Sequence, residues 1–360
     1  MLADHALARG RCTAGKKAEM TSAERVAAAL ELRETDRVPV VLFTVYCGIK
    51  YAGCKVGEGL ADDERYIRAE LKCLDDFGSD AVWAVGGVDI VAFALGAEVR
   101  FLEDDAPQIL EHPIRCREDL ERMRSVDVMA QGEAQRRLRR VRKLKKAVGK
   151  EVPVVAVVQA PFNTACQLRG VENLYKNMIS DPDFVTAILE FATERDAEHA
   201  LALAEAGADV IWMGNSVAGG LSISRKHYEQ FAHPYSRRIF HQLKASGVRT
   251  ALHTCGNWND RFDIVADEGA DVWHVSEYAD LSALKTLYGD RVCLMGNVGS
   301  VGILKGPPER VGDEAAKCIE DAGKGGGFIL SADCGIPRDA PWDNVMALAK
   351  AARNIAYTTR

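Results

Sequence analysis

The sequence predicts an α/β fold, a single-domain (β/α)8 TIM barrel, from the order and composition of its segments. Short apolar runs rich in β-branched residues alternate with longer segments of helical periodicity, and there are eight such runs. Near-continuous apolar strands are typical of a parallel sheet that helices cover, and eight strand–helix units favour a closed barrel over an open doubly wound sheet. No G-x-G-x-x-G sequence follows a predicted strand, which disfavours a dinucleotide-binding fold.

The elements can be placed from their apolar patterns. The predicted strands are Arg37–Thr44, Asp80–Val85, Val152–Gln159, Asp209–Met213, Arg249–His253, Asp271–Val275, Arg291–Gly296 and Phe328–Ser331. The main predicted helices are Asp62–Phe77, Leu174–Ala206, Arg225–Ala245, Glu309–Ala322 and Trp342–Ala356. Thr21 and Glu24 have the spacing of a capping box, so the first ordered helix is expected to begin there, after an N-terminal extension of residues 1–20.

One phrase recurs where three predicted helices give way to strands. It reads Gly78-Ser79-Asp80, Gly207-Ala208-Asp209 and Gly269-Ala270-Asp271. Glycine readily adopts the left-handed conformation that ends a helix. Each phrase therefore predicts a helix end followed at once by a strand.

The long segment between the second and third predicted strands, residues 86–151, is interpreted as an insertion into the barrel. It carries a basic run over residues 136–146, in which Leu138, Val141 and Leu144 fall along one helical stripe. This pattern fits a solvated helix that packs through the stripe. The same run could instead form a docking surface for an acidic protein partner.

Composition excludes several classes of protein. The chain has 360 residues, with 52 acidic and 46 basic side chains and a net charge of −6, which offers no positive field for nucleic acid. No apolar stretch approaches the roughly 20 residues of a membrane span, and the first residues lack the apolar core of a signal peptide. We therefore expect a cytoplasmic protein, whose ten cysteines are thiols or metal ligands rather than disulfides.

Two of the cysteines have a pattern that indicates a metal site. His253 and Cys255 are two residues apart at the end of a predicted strand, so their side chains share one face, and Cys334 follows the last predicted strand. In a barrel both strand ends lie on the same rim. One imidazole and two thiolates suit zinc, and three protein ligands leave a position open for substrate. The alternative is a core histidine near two thiols that only pack in the core. The other eight cysteines are interpreted as packing or surface thiols.

At these residues the chain resembles the uroporphyrinogen decarboxylase superfamily. The resemblance runs from Asp36-Arg37-Val38-Pro39-Val40 to the final helix, and His253-x-Cys255 with the distant Asp333-Cys334-Gly335-Ile336-Pro337 resembles the zinc motif of the cobalamin-dependent methyltransferase branch. Two further segments, Ser222-Ile223-Ser224 and Leu294-Met295-Gly296-Asn297-Val298, also resemble it. Asp89 matches the pocket aspartate of the wider family.

The resemblance implies a zinc enzyme of one-carbon transfer. It would move a methyl group between a small substrate (a thiol, a folate, or a methoxylated or methylated compound) and the cobalt of a corrinoid on a separate protein, since one barrel leaves no domain to hold a corrinoid. Zinc could activate a thiol acceptor or assist the departure of an ether or alcohol oxygen. The sequence leaves the direction of transfer, the substrate and the oligomeric state open.

Further site residues are proposed from their places after predicted strands. Glu277 could be the fourth zinc ligand in the resting enzyme. Asp333 could contact a ligand residue rather than the metal and so orient that ligand. The candidate substrate contacts are Tyr46, Asp89, Asn163, Asn215 and Asn297. Trp212 is interpreted first as core packing, and the remaining histidines, namely His5, His112, His199, His227, His233, His241 and His274, as structural or exposed.

Two other functions remain open. A uroporphyrinogen decarboxylase-like enzyme would act on a tetrapyrrole without a metal, but it would need cationic binders for several carboxylates. The stretch over residues 43–50, where that family carries arginine, has none. A non-catalytic scaffold would explain the barrel but not the three potential ligands on its rim.

Overall fold

The structure, a computed structural model, describes residues 19–87 and 89–354, and a wholly parallel sheet lies at its centre. The strands are β1 (Val82–Ala84), β2 (Glu98–Arg100), β3 (Gln108–Glu111), β4 (Val154–Gln159), β5 (Val210–Gly214), β6 (Arg249–Thr254), β7 (Val272–Val275), β8 (Cys293–Val298) and β9 (Phe328–Ala332). Seven of them form the sheet in the order β1-β4-β5-β6-β7-β8-β9, while β2 and β3 pair separately as an antiparallel ribbon. The α/β class and the parallel sheet thus agree with the prediction.

Helices surround this sheet. They are α1 (Ser22–Leu30), α2 (Val45–Tyr51), α3 (Val56–Ala61), α4 (Asp63–Phe77), α5 (Ile90–Ala94), α6 (Arg117–Met123), α7 (Gly132–Val148), α8 (Pro161–Arg169), α9 (Val171–Ser180), α10 (Pro182–Glu205), α11 (Arg225–Phe231), α12 (His233–Ala245), α13 (Phe262–Val265), α14 (Leu281–Tyr288), α15 (Ser300–Lys305), α16 (Pro308–Ala322) and α17 (Trp342–Asn354). The capping box of Thr21 and Glu24 begins α1 as expected. The predicted extension of residues 1–20 and the end of the last predicted helix lie largely outside the described residues. Within the described ranges, none of these helices combines the length and apolarity that crossing a membrane requires.

The first predicted strand is only partly correct. Val40 forms a single parallel bridge with Leu330 of β9, and the Val40 carbonyl accepts a hydrogen bond of 2.6 Å from the N–H of Asp80, just before β1. Residues 39–41 therefore hydrogen-bond to both edges of the sheet. The prediction is wrong beyond Leu42, because the chain turns there into α2.

The three repeated phrases share a role that the sequence did not reveal. Gly78 and Gly207 lie within two residues of the ends of α4 and α10 as predicted, but the prediction is wrong for Gly269, because α13 ends at Val265. Each phrase also places an aspartate whose carboxylate accepts the backbone N–H of the neighbouring strand. Asp80 accepts from Val40, Asp209 from Val154 and Asp271 from Thr250, each at 2.8 Å. These bonds fix the register at the amino-terminal end of the sheet, opposite the site described below.

Two predicted helices are each divided in two. The helix predicted over Leu174–Ala206 breaks at Asp181, where Pro182 starts α10 and the Asp181 side chain caps it. The helix predicted over Arg225–Ala245 breaks at Ala232, just before Pro234 in the first turn of α12. A proline lacks the N–H that an uninterrupted helix needs and disfavours helical conformation in the residue before it, so both breaks have the same cause.

The insertion predicted over residues 86–151 is not confirmed as a unit, because it contains a helix of the central fold. Helix α7 packs against β1 and β4, as the connection between two parallel strands must. Its stripe of Leu138, Val141 and Leu144 is buried as predicted. Arg140, however, is also buried, 2.9 Å from Asp63, so the basic run is not a continuous exposed face.

One buried carboxyl outside the site predicts a pH-dependent stability. Glu268 is fully buried beside the hydroxyl of Tyr228, and burial raises its pKa from 4.5 to about 8. A raised carboxyl pKa stabilises the fold at low pH, and this contribution is lost as the pH rises from about 4.5 through 8, at roughly 1.4 kcal/mol for each pH unit. We expect Glu268→Gln to unfold at a higher denaturant concentration than the wild type at pH 8.5 and at a similar one at pH 5. A stability difference independent of pH would contradict this account.

Candidate functional site

Three potential metal ligands meet at the carboxyl-terminal end of the sheet. His253 lies near the end of β6, Cys255 follows that strand, and Cys334 follows β9. The Cys334 Sγ lies 3.6 Å from the His253 Nε2 and 4.0 Å from the Cys255 Sγ, and all three ligand atoms are within 4.8 Å of one another. The structure thus brings together the residues that the sequence singled out, as parallel strands ending on one rim require.

These separations suit a tetrahedral ion. With bonds of about 2.3 Å to sulfur and about 2.0 Å to nitrogen, the edges of a tetrahedron are roughly 3.8 Å between sulfurs and roughly 3.5 Å between sulfur and nitrogen. The two contacts above lie within a few tenths of an ångström of these values. The third pair, a His253 ring nitrogen and the Cys255 Sγ, lies within 4.8 Å, so a single ion can reach all three atoms.

His253 presents a neutral imidazole to this cluster. Its ring is stacked on Trp212, with centroids 4.7 Å apart, and it lies 4.6 Å from the ring of His274. Burial lowers the pKa of His253 well below its usual value. A neutral imidazole carries its one proton on either nitrogen, and in the tautomer with the proton on Nδ1 the Nε2 lone pair faces the sulfurs and can bind a metal.

His274 and Trp212 support His253 from behind. The Trp212 Nε1 donates to the His274 Nδ1 at 3.2 Å, and the His274 Nε2 lies 2.8 Å from the Ala332 carbonyl oxygen. Because Nδ1 accepts, Nε2 must carry the proton and donate to that carbonyl. Burial lowers the pKa of His274 to about 4, which keeps this tautomer neutral.

The two thiols influence each other. The hydrogen bond from Cys334 lowers the pKa of Cys255 to about 7, and the same contact, with burial, raises the pKa of Cys334. The pair therefore loses one proton readily and retains the second. A cation between the sulfurs would displace that proton as well.

The cluster opens onto a cavity of about 320 Å³. Among the predicted substrate contacts, Tyr46, Asp89 and Asn163 line it, whereas Asn215 and Asn297 do not. Phe43 and Trp212 supply aromatic walls. A second, more apolar cavity of about 520 Å³ adjoins the first and shares Phe43, Tyr46 and Cys334 with it.

The three asparagines differ in their surroundings. Asn163 bonds to Gln159 at 2.8 Å and to the Val217 N–H at 3.1 Å, which fixes the loop after β5. Asn297 donates to the carbonyls of Ser276 and Ala279 at 3.0 and 2.9 Å, which fixes the loop after β7. Asn215 is fully buried, and within the described ranges its amide atoms have no partner.

Glu277, predicted as a fourth ligand, lies elsewhere. Its carboxylate is so close to Gly299 that a Cβ there would not fit, and it lines a separate cavity with Asn297 and Cys318. The ligand cluster among the described residues does not include it. Asp333 accepts the N–H of Ser300 at 2.9 Å, so its carboxylate anchors the loop after β8 behind the cluster.

The sequence interpretation missed a group of buried polar residues on another wall of the cavity. Arg137 of α7 and Asp196 and His199 of α10 line it, together with Gln159. The interpretation of His199 as structural or exposed is therefore incomplete. Its spacing of three from Asp196 places both on one helical face, and that spacing was the available signal.

Comparisons with known proteins agree over nearly the whole chain. Residues 21–355 match the family described as Uroporphyrinogen decarboxylase (URO-D). The methylcobamide:CoM methyltransferase MtbA of Methanosarcina mazei is 29% identical over 346 residues, covering 94% of this chain and 99% of that protein. The corresponding MtaA of Methanosarcina barkeri is 29% identical over 348 residues, with the same coverage. A solved methyltransferase structure from Methanosarcina mazei superposes with a TM-score of 0.84 at 28% identity, covering 93% of this chain and 99% of that one.

Proposed function

The chain belongs to the uroporphyrinogen decarboxylase (URO-D) family, and on this premise we propose that it is a corrinoid-dependent methyltransferase. It moves a methyl group between a small substrate and the cobalt of a corrinoid. The relatives named as methylcobamide:CoM methyltransferases, which match nearly end to end, support this activity.

The observation that carries the proposal is the cluster of His253, Cys255 and Cys334, which faces the cavity and has two separations close to those of tetrahedral ligands. One imidazole and two thiolates are a donor set that zinc prefers, and three protein ligands leave a position for substrate. When bound, zinc would supply Lewis acidity, which favours the thiolate form of a thiol substrate or polarises an ether oxygen. Glu277 is not retained as a fourth ligand, because its carboxylate lies in another cavity.

The surrounding residues orient the ligands and exclude water. The His274–Trp212 pair holds the His253 ring in place. Phe43 and Trp212, whose ring centroids are 5.2 Å apart, cover the cavity beside the cluster. Such a partly enclosed environment strengthens electrostatic interactions with a reacting thiol or ether.

The finer architecture that we propose is a closed (β/α)8 barrel. Residues 39–41 act as its first strand, because they hydrogen-bond to β9 on one side and to the start of β1 on the other. The Asp80–Val40 bond supports this assignment, since Asp209 and Asp271 make the equivalent bond to recognised strands.

The corrinoid is proposed to arrive on a separate protein at the open rim. The apolar cavity beside Cys334 provides an approach to the cluster. The loops after β5 and β7 also expose Leu221 and Tyr278, and helix α15 after β8 exposes Val301; these side chains are 71%, 55% and 59% accessible. These apolar side chains fit a protein partner better than α7 does, since part of the α7 basic run is buried.

The decarboxylase alternative is disfavoured by charge. Among the described residues that line the cavity, Arg137 supplies the one guanidinium, and it lies 3.4 Å from Glu133. A substrate with several carboxylates would need more unpaired cationic groups than this wall offers.

A methyl-transfer assay tests the proposal. Purified protein is given methylcobalamin with thiols or tetrahydrofolate, or Co(I) cobalamin with methoxylated aromatic compounds, and the cobalamin spectrum is followed. We expect one acceptor or donor class to convert the cobalamin. No conversion with any class by protein that contains zinc would contradict the proposed activity.

A further inference from the structure

The cavity has a buried polar wall formed by helices rather than by the strands that carry the metal ligands. Asp89 caps α5, Thr164 lies in α8, and Asp196 and His199 lie in α10. Asp196 and His199 are only 1% and 2% exposed, yet both line the cavity. The substrate-binding assignment from the sequence included Asp89 alone of this group.

The hydroxyl of Thr164 connects the two aspartates. Its Oγ1 lies 3.0 Å from the Asp196 Oδ1 and 3.3 Å from the Asp89 Oδ2. A hydroxyl has one proton to donate, so the second contact is a hydrogen bond only if one carboxyl is protonated. Burial raises the pKa of both aspartates, which favours a single negative charge on the pair.

Two atoms of this wall have no hydrogen-bond partner in residues 19–87 and 89–354. They are the Asp196 Oδ2 and the His199 Nε2. A buried polar atom without a partner costs free energy. Since both residues line the cavity, a bound molecule can supply the missing hydrogen bonds.

The net charge of the wall limits what that molecule can be. Arg137 lies 3.4 Å from Glu133, which is also 2.7 Å from Arg136. These two arginines are balanced by Glu133 and by the single charge shared between the aspartates. An anionic group bound here would have no excess positive charge to pair with. An uncharged polar group does not require such a charge.

We propose that Asp196 and His199 form a substrate subsite that hydrogen-bonds an uncharged polar end, such as a hydroxyl, while the metal cluster binds the reacting end. The subsite therefore selects a hydroxyl-bearing substrate over one with a sulfonate or carboxylate at that end. This assignment rests on the proposed function, because it takes the cavity as the site of methyl transfer.

Binding of matched thiols tests the subsite. Zinc-loaded protein is titrated calorimetrically with three series of thiols that have chains of two to four carbons. The far end of the chain is a methyl group in the alkanethiols, a hydroxyl in the hydroxythiols and a sulfonate in the mercaptoalkanesulfonates. At the best chain length we expect the hydroxythiol to bind about tenfold more tightly than the alkanethiol, as one or two hydrogen bonds provide, and the sulfonate to bind more weakly than either. Asp196→Leu and His199→Phe should each remove most of the preference for the hydroxythiol over the alkanethiol of the same length, because neither new side chain can hydrogen-bond a hydroxyl. Glu194→Gln, on the exposed face of α10, is the matched control and should keep the preference.

The outcomes separate the subsite from the proposed function. If no thiol binds the zinc-loaded protein, the cavity is not a thiol site, and both the proposal of thiol activation and the subsite are contradicted. If alkanethiols bind but the hydroxythiols show no advantage at any length, or the sulfonates bind best, only the subsite is contradicted. Circular dichroism of each variant checks that the fold is retained, and a preference that persists in both folded variants would also contradict the subsite.

Discussion

Replacing Cys255 or Cys334 with alanine is expected to remove the bound metal and to lower the rate of methyl transfer by roughly a thousand-fold or more, which is about 4 kcal/mol of activation free energy. The two sulfurs lie 4.0 Å apart on different strand ends, so neither can substitute for the other. Two remaining protein ligands hold zinc far more weakly than three. Elemental analysis after dialysis and the methylcobalamin assay measure the two losses.

Cys54→Ala is the control for thiol loss in general. Cys54 is half-buried like Cys255 and Cys334 but does not belong to the ligand cluster. This variant should keep metal and activity. If both Cys255→Ala and Cys334→Ala retained full zinc occupancy, the metal site would be wrong.

Asp80→Asn is expected to lower the free energy of unfolding by about 3–5 kcal/mol, the range measured when a buried ion pair loses one partner. The Asp80 side chain is buried and lies 2.7 Å from both Arg25 and Arg37. It also accepts the N–H of Val40 at 2.8 Å. The substitution leaves two arginines without their common counter-charge and weakens the link between residues 39–41 and β1. Equilibrium denaturation measures the loss.

Asp209→Asn is the matched control, because it lies at the same place in the repeated phrase. Asp209 accepts the equivalent backbone bond from Val154, but its ion pair with Lys145 is partly exposed. We expect a loss of only about 1 kcal/mol, as for a typical hydrogen bond. Equal losses for the two variants would show that the buried charges near Asp80 contribute nothing.

The sequence predicted those parts of the structure that follow from strand periodicity. A strand fixes which face each residue occupies, so His253 and Cys255 could be placed together, and a parallel arrangement brings Cys334 to the same rim. Asn163 was placed at the cavity because it follows a predicted strand, and Asp89 because it matches the pocket aspartate of the family. The glycine-aspartate phrases marked the strand starts, although the hydrogen bonds that the aspartates accept could not be inferred from one sequence.

Residues on helices and long loops were harder to place. Asp196 and His199 lie in the middle of α10, and only the three-dimensional path of that helix shows that this face reaches the cavity. Glu277 follows a strand as a ligand should, but the loop directs its carboxylate towards Gly299. Strand position sets the direction of a side chain within the sheet, but beyond the strand end the loop sets it. Cys334 and Glu277 each lie two residues past a strand, and only Cys334 joins the ligand cluster among the described residues.

The most direct test of the account is the metal dependence of methyl transfer. The purified protein is assayed with methylcobalamin and its best acceptor as isolated, after removal of metal with a chelator, and after one equivalent of zinc is restored. We predict activity in the first and third samples and little in the second, with Cys255→Ala inactive in all three. Full activity in the metal-free protein would contradict the claim that His253, Cys255 and Cys334 hold a catalytic metal.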